Sequence, residues 1–303
     1  MKIITEAGDL RDKRVLVRVD WSDHDDFRVR TSKSTIEYLL GAGAKVILAT
    51  HNDAGNVEDL RQFVPKGAEI LPDLRENAGE ETNSEKFARE LADKADIFVN
   101  EAFSVSHRNH ASIIGVPKFL SSFAGLRFAE EVRELSKAFH PPHPFLLILG
   151  GAKFETKLPL VEKFLNIADS IFIGGAMAKN VSITDPKIFL PSGDLTALDA
   201  NQETIRRLAE KIADSKFIIW NGPLGQYETR HTQYTHELAK ILAQAEAEVI
   251  VGGGDTLAAI KELNLQDKFS FVSTGGGAML EFLATGTLPG IEALGLPHPQ
   301  PFS

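Results

Sequence analysis

Glu248 to Thr256 reads EVIVGGGDT, and LAAIKEL follows it. A short β-branched apolar run that breaks at three glycines and resumes with helical spacing is a strand turning into a helix. Such a turn presents bare backbone N–H groups and the positive end of a helix dipole at one spot, a suitable seat for phosphate. Asp255 falls at the helix start, where it either caps the helix or faces a metal ion carried by a phosphate. One such turn occurs in many α/β proteins that bind nothing there, so the reading depends on whether the chain repeats it.

The second half repeats it. Phe145–Leu149 leads to GGAK, Ser170–Ile173 to GGAM, Lys216–Trp220 to NGPLG, Glu248–Val251 to GGGD and Phe269–Ser273 to TGGGA. Apolar runs alternating with glycine turns and helices predict a parallel sheet whose C-terminal edge is lined with backbone donors, a nucleotide-binding surface. None of the turns matches G-x-x-x-x-G-K-[ST] or G-x-G-x-x-G, which argues against a P-loop ATPase and a standard dinucleotide fold. Lys153 and Lys157 in GGAKFETK stand four apart, which predicts one helical face and phosphate contact by Lys157. The stretch 184–215 carries mixed strand and turn signals before the helix ETIRRLAEKIADS.

The first half alternates in the same way. RVLVRVD (14–20), KVILATH (45–51), EILPDLR (69–75) and DIFVN (96–100) read as strands, with helices over TSKSTIEYLLGAG and EKFARELADKA and a helical piece over Val57–Phe63. Asp20, His51, Arg75 and the loop carrying His107, Arg108 and His110 fall just past C-terminal strand ends, with Arg28 just beyond the first strand. Each alone is a solvated surface charge; their shared placement predicts a basic cluster for a small polyanion. His107 and His110 lack a clear third ligand, so a metal site is not expected there. LRFAEEVRELSKAF (126–139) has the spacing of an amphipathic helix, and HPPHP (140–144) stops it, which marks a domain boundary.

With 303 residues, 43% hydrophobic and 25% charged, the chain is long enough for two domains. A net charge of −9 argues against a nucleic-acid or anionic-membrane surface. The absence of cysteine removes disulfides, a thiol nucleophile and a Cys-based zinc site. No apolar run approaches a membrane span or a signal sequence, so a cytoplasmic location is expected.

RVLVRVD, NEAFSVSHRNHAS (100–112), LGGAK (149–153), IGGAMA (173–178), IWNGPLGQYE (219–228), VGGGDT (251–256) and STGGGAMLEFL (273–283) together resemble the phosphoglycerate kinase family, in that family's order. The resemblance implies two doubly wound α/β domains with parallel, Rossmann-like sheets joined by a helix. It places a phosphoglycerate-binding domain at 1–125 with the C-terminal tail 290–303 packing back on it, a helix and hinge at 126–143, and a nucleotide-binding domain at 144–289. It implies reversible phosphoryl transfer between ATP and 3-phosphoglycerate, with Mg2+ and ATP or ADP, small-molecule partners, a monomer, and closure of the two domains to exclude water.

By the same similarity Asp20, Trp21, Ser22, Arg28, His51, Arg75 and Arg108 form the substrate patch. Gly151, Lys153, Lys157, Gly174, Gly175, Asn221, Gly253, Gly254, Asp255 and Thr256 line the nucleotide site, Glu228 meets the ribose, and Asp255 is directed at magnesium. Arg28, Lys157, Gly276 and Gly277 are the implied catalytic set. There are departures: Asp20-Trp21-Ser22 replaces the family's Asp-Phe-Asn, and His51-Asn52-Asp53-Ala54-Gly55 replaces His-Leu-Gly-Arg-Pro, which removes an arginine. Glu76 follows Arg75 in place of Phe, Glu101 replaces Asp, and the helix after GGAMA is cut to KNVSITD. These leave two alternatives: a weak or silent nucleotide-binding member, or a kinase for another small carboxylate.

Overall fold

The computed structural model describes residues 1–22, 26–53, 56–152, 154–155 and 157–295. The chain divides into two compact units: Met1–Arg133 with the segment from Thr285 onward, and Glu134–Ala284.

The first unit is built on β1 (Arg14–Arg18), β2 (Lys45–Ala49), β3 (Ala68–Ile70), β4 (Ile97–Asn100) and β5 (Ser121–Ala124). They pair in the order β3-β2-β1-β4-β5, all parallel. Around them run α1 (Asp26–Gly41), α2 (Glu85–Ala92) and the start of α3 (Leu126–Ser136). The period of two along the first strand and its extension decides what faces where. Val15, Val17, Val19 and Trp21 all enter one core cluster with Val29, Ile36 and Leu39 of α1. Arg18 and Asp20, at the alternate positions, turn to the other side and meet His51 and Ser104.

One expected strand is shorter than its apolar run. EILPDLR is a strand only over Ala68–Ile70, and Arg75 lies in a 3-10 turn, Leu74–Glu76, whose N-cap Asp73 accepts from the Arg75 N–H. Pro72 supplies no N–H for a ladder, which ends pairing there. Val57–Phe63 is likewise a 3-10 turn, capped by Asn56.

Glu101 closes the start of α3. Its carboxylate accepts from the Thr35 hydroxyl (2.7 Å) and from the N–H groups of Arg127 (3.1 Å) and Phe128 (3.2 Å). These are orphan donors of the first helical turn. Burial pushes the Glu101 carboxyl up to about 8, against the pull of those donors.

The second unit is built on β6 (Phe145–Leu149), β7 (Ser170–Ile173), β8 (Ile188–Phe189), β9 (Phe217–Asn221), β10 (Glu248–Gly252) and β11 (Phe271–Val272). The order is β11-β10-β9-β6-β7-β8, again all parallel. Its helices are α4 (Leu158–Phe164), α5 (Gln202–Asp214), α6 (Gln233–Leu242), α7 (Gly254–Glu262) and α8 (Gly277–Thr285). β6 and β9 are buried along their whole length, as central parallel strands are. The ambiguous stretch 184–215 contains the two-residue edge strand β8 and then α5. KNVSITD forms no α-helix: a 3-10 turn over Gly175–Asn180 covers most of GGAMA and ends on the first two residues of KNVSITD.

The last element, α9 (Pro289–Leu294), belongs to the first unit, where the Gly290 N–H donates to the Ser106 carbonyl at 2.8 Å. Residues 296–303, most of the tail expected to pack back, lie outside the described residues. Among the described residues no helix is long and apolar enough to cross a membrane.

Candidate functional site

Each unit carries its polar groups where its strand order reverses. In an open parallel sheet that point leaves a crevice outside the carboxyl ends of the strands. For the first unit it lies between β1 and β4.

There Asp20, 6% exposed, accepts from Arg28 Nη1 at 3.0 Å and from the Ser104 hydroxyl. Its Oδ1 is buried without a hydrogen-bond partner among the described residues. Burial pushes its carboxyl up, but Arg28, Ser104 and Arg18 outweigh that and hold it at about 2. Ser22 is buried, with its hydroxyl 3.4 Å from Arg28 Nη1. Trp21 is a correction to the expected substrate patch. It is fully buried in the core, and its indole N–H donates to Ser32 Oγ at 2.9 Å, because strand alternation sends residue 21 to the opposite face from residue 20.

His51 is buried, and its Nδ1 faces Arg18 Nη2 at 2.9 Å. An arginine only donates, so Nδ1 is the acceptor and the proton of the neutral ring is on Nε2. Arg18 was not among the residues expected from sequence. It is 1% exposed and also donates through Nε to Ser112 Oγ at 2.8 Å, while Ser112 in turn donates to the buried Glu80 at 2.5 Å. The signal was an arginine at the carboxyl end of an otherwise apolar strand, which reads just as easily as an exposed edge residue. Arg75 pairs with Asp53 and lies 3.5 Å from Glu81. Arg108 is half-buried, and its charge acts with those of Arg18 and Arg75 on His51. His110 faces Glu80 at 3.7 Å, and among the described residues no three or more of His, Asp and Glu cluster as a set of metal ligands. Ala54, which replaces the family's arginine, lies outside the described residues.

Burial and the neighbouring Arg18 lower His51 to about 3. Between the ordinary histidine value and about 3 the unfolded chain therefore binds a proton that the folded chain does not. Stability is lost as pH falls through that window, by at most about 1.4 kcal/mol per pH unit. Asp20, ionised in the fold down to about 2, adds a loss of the same sign at the acid end. Urea midpoints measured from pH 6.5 to pH 4.5 are expected to fall in the parent and to fall less steeply in His51→Gln; parallel slopes would refute the assignment.

In the second unit the reversal lies between β6 and β9, and Lys157 sits on it. Its Nζ donates to the Gly150 carbonyl at 2.5 Å and lies 3.3 Å from both the Asn221 carbonyl and Asn221 Oδ1. Burial lowers Lys157 to about 8, and Asp255 opposes the shift. α4 begins at Leu158 with Lys157 at its N-cap position, so Lys157 precedes the first helical turn in which it was expected; Lys153, its expected partner, lies outside the described residues. Pro159 fits the first turn of a helix and fixes that late start.

The glycine turns pack backbone on backbone. The Gly150 N–H donates to the Asn221 carbonyl at 2.9 Å, Gly151 to Pro223, Gly174 to Leu149, and the Met177 N–H to Gly151. Gly175 adopts φ 66°. Of the five turns only those after β10 and β11 run straight into α-helices, α7 and α8. Asp255 is not the cap of α7: Gly253, at φ 99°, holds that position, and Asp255 is exposed in the first turn. Thr256 is buried and accepts from the Gly222 N–H at 2.8 Å. Gly276 has φ 52° and Gly277 opens α8. Glu228 is exposed in a 3-10 turn, Tyr227–Thr229.

The family model described as phosphoglycerate kinase matches residues 54–187 and 180–286. A phosphoglycerate kinase of Finegoldia magna is 34% identical, covering 94% of this chain and 97% of the relative. That alignment runs over 382 residues, more than the 303 of this chain, so the shortening lies inside the matched region. The solved phosphoglycerate kinase of Pyrococcus horikoshii superposes with a TM-score of 0.86 at 25% identity, covering 97% of this chain and 98% of that one. That of Coxiella burnetii gives 0.80 at 28% identity, covering 95% and 97%. With two parallel α/β sheets, a polar cluster at the reversal point of each, and these matches along nearly its whole length, the chain belongs to the phosphoglycerate kinase family.

Proposed function

We propose that this chain catalyses reversible phosphoryl transfer between MgATP and the carboxyl group of 3-phosphoglycerate, as a cytoplasmic monomer acting on small molecules. The observation that carries the reading is the placement of opposite chemistries at equivalent points of two sheets. Arginines and a neutral histidine stand at the reversal point of the first unit, and glycine backbone with one lysine at that of the second.

The second unit fits a nucleotide triphosphate. An added Cβ at Gly254 or Gly277 would meet nothing within 4 Å, so the first turns of α7 and α8 face open space. The first-turn N–H groups that a helix leaves without an intrahelical partner are the donors that phosphate oxygens need; of these the Ala278 N–H already donates to the Gly275 carbonyl at 2.9 Å. Asp255, beside them, is the residue that would hold magnesium, which neutralises charge on the transferring phosphoryl group. In this reading Gly151, Gly174, Gly175, Asn221, Gly253 and Thr256 form the floor of the site, and the exposed Glu228 is the residue that would meet a ribose hydroxyl.

In the first unit Arg28, Arg75 and Arg108 supply charge for the acceptor, and His51 offers its Nε2–H. Asp20 fixes Arg28 rather than touching the acceptor. Phosphoryl transfer asks mainly for positioning and charge neutralisation, and these residues supply both.

A coupled assay with 3-phosphoglycerate and MgATP tests the reading, and absence of turnover at high enzyme concentration would sink it. Lys157→Ala is expected to raise KM for MgATP by about 10- to 100-fold, the worth of one charged hydrogen bond. An unchanged nucleotide KM would remove Lys157 from the site.

A further inference from the structure

The turn HNDAG has lost a positive charge relative to the family pattern and, at Asp53, gained a negative one. The carboxylate of Asp53 sits on the groups assigned to the acceptor. Arg75 Nη1 donates to its Oδ1, and its Oδ2 lies 3.7 Å from His51 Nε2, the nitrogen that carries the ring proton. The Asp53 N–H donates to the Ser22 carbonyl at 3.0 Å, which ties the residue to the loop after β1. The side chain is 53% exposed, so it can swing into water without being buried elsewhere.

We infer that Asp53 is a specificity-determining residue, a built-in counter-anion on Arg75, beside the Nε2–H of His51, that any acceptor must displace. The inference rests on the proposed reading of this cluster as the acceptor site. A tethered carboxylate competes at high effective concentration. A phosphate monoester, with about −1.5 to −2 charge and three strong acceptor oxygens, displaces it; a singly charged carboxylate does not. The turn therefore selects phosphorylated acceptors over simple carboxylates, at the expense of affinity for both.

Asp53→Asn keeps the backbone bond and the shape while removing the charge. It is expected to lower KM for 3-phosphoglycerate by about twofold to fivefold, the upper range for a partly exposed ion pair, with KM for MgATP unchanged. Acetate, inert toward the parent, becomes a competitive inhibitor in the variant. Asp53→Ser repeats the test if the amide makes new contacts. Glu81→Gln serves as the control, because Glu81 is 3.5 Å from Arg75 and is not among the groups beside His51; less than a twofold change is expected. Calorimetric titration with inorganic phosphate, without nucleotide, reads the same displacement independently of turnover. If the parent shows no kinase activity but Asp53→Asn binds phosphate more tightly, the function fails and the inference stands. If neither Asp53 variant lowers KM or tightens phosphate, or if Glu81→Gln does so equally, the inference fails.

Discussion

Arg28→Ala is expected to lower turnover by about 100- to 1,000-fold while nucleotide KM stays within about twofold, the scale on which removing one preorganised charged donor slows transfer. The geometry makes two losses at once. Among the described residues the guanidinium is the nearest cation to Asp20, at 3.0 Å, and Asp20 is almost fully buried with one oxygen that has no hydrogen-bond partner among them. Without Arg28 the carboxylate keeps Ser104 as its remaining close donor, and its proton affinity rises. The first unit therefore weakens most near neutral pH, where Asp20 is charged. Arg28→Lys preserves the charge but not the fork, so it should recover stability more fully than rate. Steady-state kinetics beside thermal unfolding separates the two, and an unchanged rate in Arg28→Ala would remove Arg28 from the catalytic set.

Gly222→Ala is expected to destabilise the second unit by about 2 to 5 kcal/mol and to abolish nucleotide binding. Gly222 has φ 100°, a conformation that side chains rarely adopt. Its new Cβ would lie 2.4 Å from the Gly150 carbonyl oxygen, 2.6 Å from that carbonyl carbon and 3.0 Å from Lys157 Nζ. Two of these obstacles are backbone at the sheet's reversal point, which cannot swing aside. Gly254→Ala is the contrast: with open space around the new methyl, stability should hold or improve by up to about 1 kcal/mol, the helix propensity of alanine over glycine. Chemical unfolding of both variants checks the pair, and equal effects would show that the backbone packing is not the cause.

Both sheets were legible because buried parallel strands leave apolar runs and the glycine turns punctuate them. What the runs did not show was where pairing stops. EILPDLR loses its ladder at Pro72, so Arg75 reaches the site from a turn rather than a strand end. The site was legible as a set of residue types near strand ends, but not by orientation. Trp21 adjoins Asp20 in sequence yet points into the core, while Arg18, two residues earlier, shares Asp20's side and orients His51. Lys157 was expected within the first helical turns, and instead stands at the N-cap position, one residue before α4 begins. The role of Asp53 was not legible at all, because it depends on Arg75, 22 residues further along the chain.

The carboxylate of Glu101 at the start of α3 also constrains how this sequence can change. A Cβ on Gly125 would fall 1.8 Å from Glu101 Oε2 and 2.6 Å from its carboxyl carbon, because the glutamate is one methylene longer than the family's aspartate. The two positions are therefore bound in order. For a lineage, or a randomised library, shortening position 101 relieves the two closest contacts of a methyl at 125 and leaves the residue 101 Cβ, 3.2 Å away, so alanine at 125 is better tolerated after that step than before it.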